Sequence, residues 1–173
     1  LKTINEFPEY YHFYAVTEYT YNGIRQTNRN PLLYKGIGAD GLKTGHTSEA
    51  GYGLTASAER NGRRIIAVVN GLNSKKERSS ESERLMDWAF REFNNYALFA
   101  ENDVVSEAEV WLGTAGRVPL VIDRDVVITM PRKARKGMKV TIKYEGPIPA
   151  PIKAGTPIAS LEITAPDEKT IIV

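Results

Sequence analysis

The feature that most constrains the fold is a pair of β-like segments joined by Asn61-Gly62. Residues Tyr52–Arg60 alternate apolar with smaller or polar side chains, as a half-buried strand does. Arg63–Gly71 contains the continuous apolar run Ile65–Val69, which is typical of a central strand buried on both faces. Asn-Gly tolerates the positive φ angles of a two-residue hairpin turn. The pattern therefore predicts an antiparallel hairpin with residues 65–69 at the centre of a sheet.

A helix is predicted to follow this hairpin and to cover one face of the sheet. Apolar side chains recur at helical spacing from Leu85 to Tyr96 or Ala97. Ser80 and Glu83 have the spacing of a capping box, which satisfies free N–H groups at a helix start. The pair Asn94-Asn95 weakens the pattern, so the helix is expected to end near it.

Residues 10–21, before the hairpin, are rich in aromatic and β-branched side chains and predict a strand. Asn22-Gly23 directly after them predicts another tight turn. After about residue 100 the pattern changes to short β-like runs separated by Gly and Pro clusters, which predicts a small all-β sandwich. The predicted runs are Ala108–Leu112, Val118–Ile122, Val126–Met130, Val140–Tyr144, Ile158–Thr164 and Thr170–Val173. We expect an α+β chain with a first domain at 1–97 and a second at 98–173.

Charge and composition exclude several classes of function. The formal net charge is only +2, which argues against nucleic-acid binding because phosphate attraction would be weak. The chain has no cysteine, which excludes disulfides, thiolate metal sites and cysteine catalysis. Only His12 and His46 are available as imidazole ligands, and no carboxylate cluster accompanies them, so no metal site is predicted. No run of about 18 apolar residues occurs, so no membrane-spanning segment is predicted.

The chemically most suggestive segment is Lys43-Thr44-Gly45-His46. Lys43 can place a positive charge beside a nucleophile and an anionic substrate, and Thr44 can donate a hydrogen bond to a carboxylate. Gly45 lets a substrate backbone approach closely, and the backbone N–H of His46 can face a developing oxyanion. A motif this short needs its sequence context as support.

That context resembles the low-molecular-mass penicillin-binding proteins that act as serine D-alanyl-D-alanine carboxypeptidases. The segments that carry the resemblance are Tyr21–Asn30, Asp40–Thr47, Gly51–Ala58, Arg63–Gly71, Arg78 and Leu85–Phe90. It covers residues 10–96 well and extends more loosely over the β-rich part. The resemblance implies a β-lactamase-like transpeptidase domain, an antiparallel sheet with a packing helix, followed by an accessory β-domain.

The resemblance also implies a reaction. Such enzymes remove the terminal D-alanine of peptidoglycan stem pentapeptides through a serine acyl-enzyme, and β-lactams acylate the same serine. Lys43, Thr44, Gly45 and His46 would be the catalytic group here, with Lys43, Thr44 and His46 also contacting substrate. Arg78 matches an arginine near the family's cleft, where its guanidinium would hold the substrate's free C-terminal carboxylate. No cofactor is implied.

The family's Ser-x-x-Lys and Ser-x-Asn motifs do not occur in this sequence. We therefore expect the chain to be the C-terminal piece of a larger exported protein, inactive by itself and dependent on an upstream fragment with Ser-x-x-Lys. The expected partners are that fragment, the peptidoglycan stem peptide and β-lactam antibiotics. The expected location is the periplasm or the outer face of the bacterial cytoplasmic membrane.

Three readings stay open beside the carboxypeptidase. A β-lactamase and a D,D-endopeptidase use the same scaffold, and a non-catalytic module would only bind the cell wall. Peripheral membrane association is a further expectation, since the basic run Arg132–Lys136 can touch an anionic surface. A solvated turn between strands explains the same run.

Overall fold

The computed structural model describes residues 1–173, with one long helix, two short ones and thirteen strands. The helices are α1 (Lys2–Glu6), α2 (Pro8–Tyr11) and α3 (Lys75–Glu92). The strands up to α3 are β1 (Glu18–Tyr21), β2 (Ile24–Thr27), β3 (Ala39–Thr47), β4 (Gly51–Arg60) and β5 (Arg63–Leu72). The later ones are β6 (Phe93–Phe99), β7 (Val104–Trp111), β8 (Arg117–Val121), β9 (Val126–Pro131), β10 (Lys139–Tyr144), β11 (Ile148–Pro149), β12 (Ala159–Thr164) and β13 (Ile171–Ile172). Contacts divide the chain into two units, Leu1–Arg91 and Glu92–Val173.

The first unit is built on the predicted hairpin. Strands β4 and β5 pair across the turn, where Asn61 and Gly62 have φ angles of 52° and 71°. Strand β3 pairs with the other side of β4, giving an antiparallel sheet in the order β3-β4-β5. The α+β class is confirmed.

Helix α3 covers one face of this sheet, as predicted. Its side chains Met86 and Phe90 join Leu54, Ala56 and Ala67 in one buried cluster. Paired residues in an antiparallel ladder share a face. Because Thr44 pairs with Leu54, its side chain lies on the α3 face, whereas Lys43 pairs with Thr55 on the opposite face.

The prediction that residues 65–69 form the central strand was wrong. Strand β4 is central, and β5 lies at one edge of the sheet. Ala67 packs toward α3, but Val68 is 68% exposed on the opposite face. The apolar run is therefore buried on one face only in this chain, and that open face is the one that carries Lys43.

The prediction of a strand over residues 10–21 was wrong for most of its length. Residues 8–15 form α2 and a 3₁₀ turn (His12–Ala15), and only β1 is extended. Aromatic side chains favour strands only weakly, and Pro8 at the first helical position starts α2 instead. The turn at Asn22-Gly23 is confirmed, because β1 and β2 pair around it.

The capping box of α3 lies six residues earlier than predicted, at Ser74 and Glu77 rather than Ser80 and Glu83. The Ser74 hydroxyl accepts the Glu77 N–H at 3.0 Å, and the Glu77 carboxylate accepts the Asn73 N–H at 2.7 Å. Both pairs of residues have the same spacing, so the sequence alone did not separate them. Arg78 consequently lies inside the first turns of α3 and not before the helix.

The end of α3 lies two residues before Asn94-Asn95, near the predicted place, although the helical spacing of apolar side chains continued to Tyr96 or Ala97. The helix stops at Glu92, and Tyr96 and Ala97 belong to strand β6, which pairs with β9. Helical spacing and strand alternation are hard to distinguish over a short apolar run. The boundary between the two structural units accordingly lies between residues 91 and 92.

The second unit consists of short sheets around one apolar core. The strand orders are β6-β9, β11-β7-β8 and β10-β12-β13. Ile128, Met130, Leu161 and Ile163 are among its buried side chains. The basic run Arg132–Lys136 lies in the turn between β9 and β10. None of the chain's helices combines the length and apolar character needed to cross a bilayer.

Candidate functional site

Strand β3 holds the Lys43–His46 segment at an edge of its sheet. It pairs with β4 on one side only, so its other edge has free backbone donors and acceptors. Gly45 and His46 are exposed and Thr44 is half-buried. A second extended chain can therefore pair with this edge.

Lys43 lies on the sheet face that α3 does not cover. Its side chain is exposed, and its ammonium donates to the carbonyl oxygen of Thr44. Lys43 does not line the pocket that contains Phe13 and Asn28. It does not line the pocket that contains Ala97 and Val127 either. Lys43 therefore lies on an open sheet face.

Neither backbone conformation nor packing within this chain requires a glycine at position 45. A Cβ built on it would meet nothing within 4 Å, and its φ is not in the positive region. Gly53 on the paired strand is different, because a Cβ there would lie 2.8 Å from Asn70 Oδ1. The space above Gly45 is therefore open for a ligand.

His46 is held by its neighbours across the hairpin. Its Nδ1 lies 3.1 Å from the carbonyl oxygen of Gly51, and its ring stacks on Tyr52 with centroids 3.8 Å apart and planes 8° apart. A carbonyl oxygen only accepts, so in this hydrogen bond the His46 Nδ1–H is the donor.

Arg78 is buried, with 6% exposure. Its Nη2 donates to the carbonyl oxygen of Arg29 at 3.3 Å, and its Nε is buried without a hydrogen-bond partner. Its guanidinium carbon lies 5.7 Å from the ring centroid of Tyr52. Since Tyr52 also stacks on His46, the structure links Arg78 to the Lys43–His46 segment through one aromatic ring.

Sequence reasoning treated Tyr52 only as a strand residue and missed this bridging position. The only available signal was its place five positions after the motif's Thr47, where a hairpin return brings it opposite His46. Neither pattern nor composition indicates that its ring contacts Arg78, which is far away in the sequence.

A polar cluster at the start of β3 was also missed. Asp40 accepts the hydroxyl of Tyr11 at 2.8 Å, and Arg64 Nη1 lies 2.8 Å and 2.6 Å from the two Asp40 oxygens. Arg64 also donates to the Ser57 hydroxyl at 2.7 Å and to Glu59 at 2.6 Å. We call these five residues the Asp40 cluster. It connects α2, β3, β4 and β5.

Burial, with a contribution from the Asp40 carboxylate, raises the pKa of Tyr11 to about 12. A phenol whose pKa is higher in the folded state stabilises the fold below pH 10, its ordinary value. This contribution is lost as the pH rises from 10 through 12.

We expect spectrophotometric titration at 295 nm to show a late tyrosine ionisation near pH 12, about two pH units above the ordinary phenol value. Tyr11→Phe should remove that late step, because the phenol responsible is gone. Tyr10→Phe is the matched control, since Tyr10 is 58% exposed and its loss should leave the late step in place. A late step that survives in Tyr11→Phe would contradict the assignment.

Two family models match the chain. One, described as D-alanyl-D-alanine carboxypeptidase, matches residues 1–74, and the other, the C-terminal domain of penicillin-binding protein 5, matches residues 93–173.

Similar curated proteins and solved structures carry the same names. The D-alanyl-D-alanine carboxypeptidase DacA of Escherichia coli strain K12 is 36% identical over 170 residues, covering 97% of this chain and 42% of that protein. DacA of Haemophilus influenzae is 41% identical over 144 residues, covering 82% of this chain and 36% of its own length. The structure of penicillin-binding protein 5 from Haemophilus influenzae matches with a TM-score of 0.86 and 36% identity, over 98% of this chain and 50% of that one. The chain thus spans less than half the length of these curated relatives.

Proposed function

The chain belongs to the serine D-alanyl-D-alanine carboxypeptidase family of low-molecular-mass penicillin-binding proteins, and from that membership we propose that it supplies one wall of a carboxypeptidase cleft. The complete enzyme removes the terminal D-alanine of peptidoglycan stem pentapeptides and is acylated by β-lactams. The observation that carries the proposal is the Lys43–His46 segment on a sheet edge that is open both to backbone pairing and above Gly45.

The substrate peptide lies along the free edge of β3 in this proposal. Main-chain hydrogen bonds to an edge strand align an extended peptide, and a side-chain-free Gly45 lets it approach. The scissile carbonyl then points at the backbone N–H of His46. With the N–H of the nucleophilic serine this forms an oxyanion hole, in which each donor contributes roughly 3–4 kcal/mol in comparable enzymes.

The nucleophile comes from outside this sequence, on a segment that carries Ser-x-x-Lys. The serine attacks the carbonyl carbon between the two D-alanines, and its proton passes to the lysine of that motif. The leaving D-alanine takes up a proton as the C–N bond breaks, and water then hydrolyses the ester. Lys43 contributes positive charge next to the serine, and Thr44 donates a hydrogen bond to the substrate.

The open sheet face fits this arrangement. Lys43 lies there beside Thr55 and the exposed Val68, and α3 packs on the other side. Exposed apolar side chains on a sheet face favour a covering element. A segment that packs on Val68 would bring its serine to the same face as the Lys43 ammonium.

Arg78 holds the free C-terminal carboxylate in this proposal. A guanidinium has five N–H donors, and the bond to Arg29 uses only one of them. The buried Nε lacks a partner, which is costly for a cation unless a ligand oxygen is supplied. Thr44 lies on the same sheet face as α3, so a carboxylate can bridge the two side chains.

Localisation follows from the substrate, because stem peptides lie outside the cytoplasmic membrane. We place the enzyme in the periplasm or at the outer face of that membrane. We assign the catalytic part to about residues 1–97 and the accessory β-domain to about residues 98–173. The contact-defined second unit begins slightly earlier, at Glu92.

The test is labelling with a fluorescent penicillin, followed by intact mass of each polypeptide. The 173-residue chain alone should stay unlabelled, because it lacks a nucleophilic serine in the required motif. The complete polypeptide, or this chain with an associated fragment bearing Ser-x-x-Lys, should gain one adduct. An adduct on the 173-residue chain would overturn the placement of the nucleophile. A complete polypeptide without any adduct would favour a non-catalytic module.

We expect Gly45→Ala to lower the rate of penicillin acylation of the complete enzyme by about 10-fold or more, since a 1 Å misplacement can cost about 100-fold. Its effect on the unfolding free energy of the 173-residue chain should stay within about 0.5 kcal/mol, as at ordinary surface sites. Gly53→Ala is the comparison, because its Cβ would lie 3.2 Å from the Val69 carbonyl oxygen and would force Asn70 to shift, so it should destabilise the fold more than Gly45→Ala. Denaturant unfolding and acylation kinetics measure both. An acylation rate unchanged by Gly45→Ala would contradict close substrate approach.

A further inference from the structure

The Asp40 cluster lies at the end of β3 that leads into the Lys43–His46 segment. Asp40 is three residues before Lys43, and its carboxylate is bound by both Tyr11 and Arg64. The side chains of Asp40 and Arg64 are 26% and 24% exposed, so this ion pair is largely shielded from solvent. Shielded, hydrogen-bonded charge pairs resist displacement far more than exposed ones.

Gly41, the next residue, is fixed from two sides. A Cβ on Gly41 would lie 2.9 Å from the Tyr11 hydroxyl, so the strand passes directly against that side chain. Its carbonyl oxygen accepts from Asn30 Nδ2 at 2.8 Å, and Asn30 is only 2% exposed. Asn30 is itself oriented, because its Oδ1 accepts the Leu32 N–H at 3.1 Å.

This anchoring matters because β3 has a strand neighbour on one side only and an irregular start. Its register with β4 is irregular between Ala39 and Gly41. An irregularity of this kind interrupts the ladder locally and bends the strand, so side-chain contacts at that point help to set the path of the strand. The opposite end of β3 has its own anchors, the stack of His46 on Tyr52 and the bond from the Ala50 N–H to the Thr47 hydroxyl at 2.9 Å.

We propose that Asp40, Arg64 and Tyr11 are positioning residues for the acylation reaction, which hold β3 so that Lys43 and the His46 N–H meet the acyl carbonyl in the correct place. None of the three contacts substrate; they act through the backbone of Asp40 and Gly41. The inference rests on the proposed function, since it assigns the cluster a role in that reaction. Glu59 shares Arg64 but lies on the central strand β4, so it has no such role.

The experiment uses the complete polypeptide with its nucleophile and a chromogenic penicillin. Stopped-flow acylation separates the dissociation constant of the first complex from the first-order acylation rate constant. Asp40→Asn should lower the rate constant by about 10- to 100-fold, the range expected for a small misplacement, with the dissociation constant changed less than about threefold. Tyr11→Phe should show a smaller loss in the same constant. Glu59→Gln, the matched control on the same Arg64, should stay within about twofold.

Amide hydrogen exchange provides a readout that does not depend on chemistry. In Asp40→Asn the alternate amides within residues 42–46 that bond to β4 should exchange faster, while those of the β4–β5 ladder keep wild-type protection. A uniform loss of protection through the sheet would indicate a general stability role and overturn the inference. If Asp40→Asn does not fold, Tyr11→Phe, which removes one hydroxyl, decides by the same two measurements.

Failure of the positioning inference and failure of the proposed function give different results. If the wild-type enzyme is acylated and folded Asp40→Asn is acylated equally fast, the positioning inference alone is wrong. If the wild-type enzyme is not acylated at all, the proposed function is wrong and the inference falls with it.

Discussion

Lys43→Ala is expected to reduce the rate of acylation of the complete enzyme by a penicillin by on the order of 10²- to 10⁴-fold, the range for losing a positioned group that stabilises charge or moves protons. The physical reason is that Lys43 places a cation on the open sheet face, which the proposed function puts next to the reacting serine. The chain itself should remain folded, because the side chain is exposed and its ammonium contacts only the adjacent Thr44 carbonyl. The measurements are the second-order acylation rate constant and the melting temperature.

Lys76→Ala is the matched control, since Lys76 is an exposed lysine on α3 in the same unit. It removes the same charge from the protein and should change acylation less than about twofold. Equal losses in both variants would indicate a general electrostatic effect and not a role for Lys43. Wild-type acylation in Lys43→Ala would remove the basis of the proposed site.

Arg78→Gln is expected to abolish the preference for a free C-terminus. We expect kcat/KM for a peptide ending in D-Ala-D-Ala with a free carboxylate to fall by about 30-fold or more, because truncating one partner of a buried charge pair costs about 2–5 kcal/mol. The same peptide with a C-terminal amide should change only a few-fold, since it offers no anion to the guanidinium. The ratio of the two kcat/KM values is the quantity to measure.

Arg84→Gln provides the comparison on the same helix. The Arg84 side chain is 76% exposed and pairs with Glu81, so its loss should leave the ratio unchanged. Melting temperatures of both variants separate lost recognition from lost stability, because Arg78 is buried and also contacts Tyr52 and the Arg29 carbonyl. Parallel losses on the carboxylate and the amide peptide would contradict a carboxylate-binding role.

Local patterns were sufficient for the hairpins, because a turn of Asn and Gly between alternating segments specifies both strands and their register. The structure has positive φ angles at Asn22, Gly23, Asn61 and Gly62, as those dipeptides predict. Local patterns were not sufficient to place a helix start where two sites in the sequence match the same capping motif. Ser74 and Ser80 both have a glutamate three residues later, and only packing against the sheet determined that α3 begins at the first of them.

Some features of the candidate site were likewise predictable from local sequence, and others were not. The segment Lys43–His46 was found from its residue types and its neighbours in the sequence, and the order of segments led to the family. The contact of Tyr52 with Arg78 was not foreseen, because no local pattern encodes a contact between a strand and a helix. The stack of His46 on Tyr52 was missed as well, although the pairing of β3 with β4 brings the two residues opposite each other. The Asp40 cluster was missed for the same reason, since Tyr11 and Asp40 are 29 residues apart and Tyr11 and Arg64 are 53 residues apart.

The amino-acid sequence by itself determined the turns, the positions of most strands along the chain and the covering helix. It also determined the chemical groups of the Lys43–His46 segment. These features depend on side chains close together along the chain. Only the tertiary structure decided that β3 is an edge strand, that Arg78 is buried, and that Tyr11, Asp40 and Arg64 meet at the start of β3. These features depend on which distant side chains pack together, and that choice reflects burial and hydrogen bonding summed over the whole first unit.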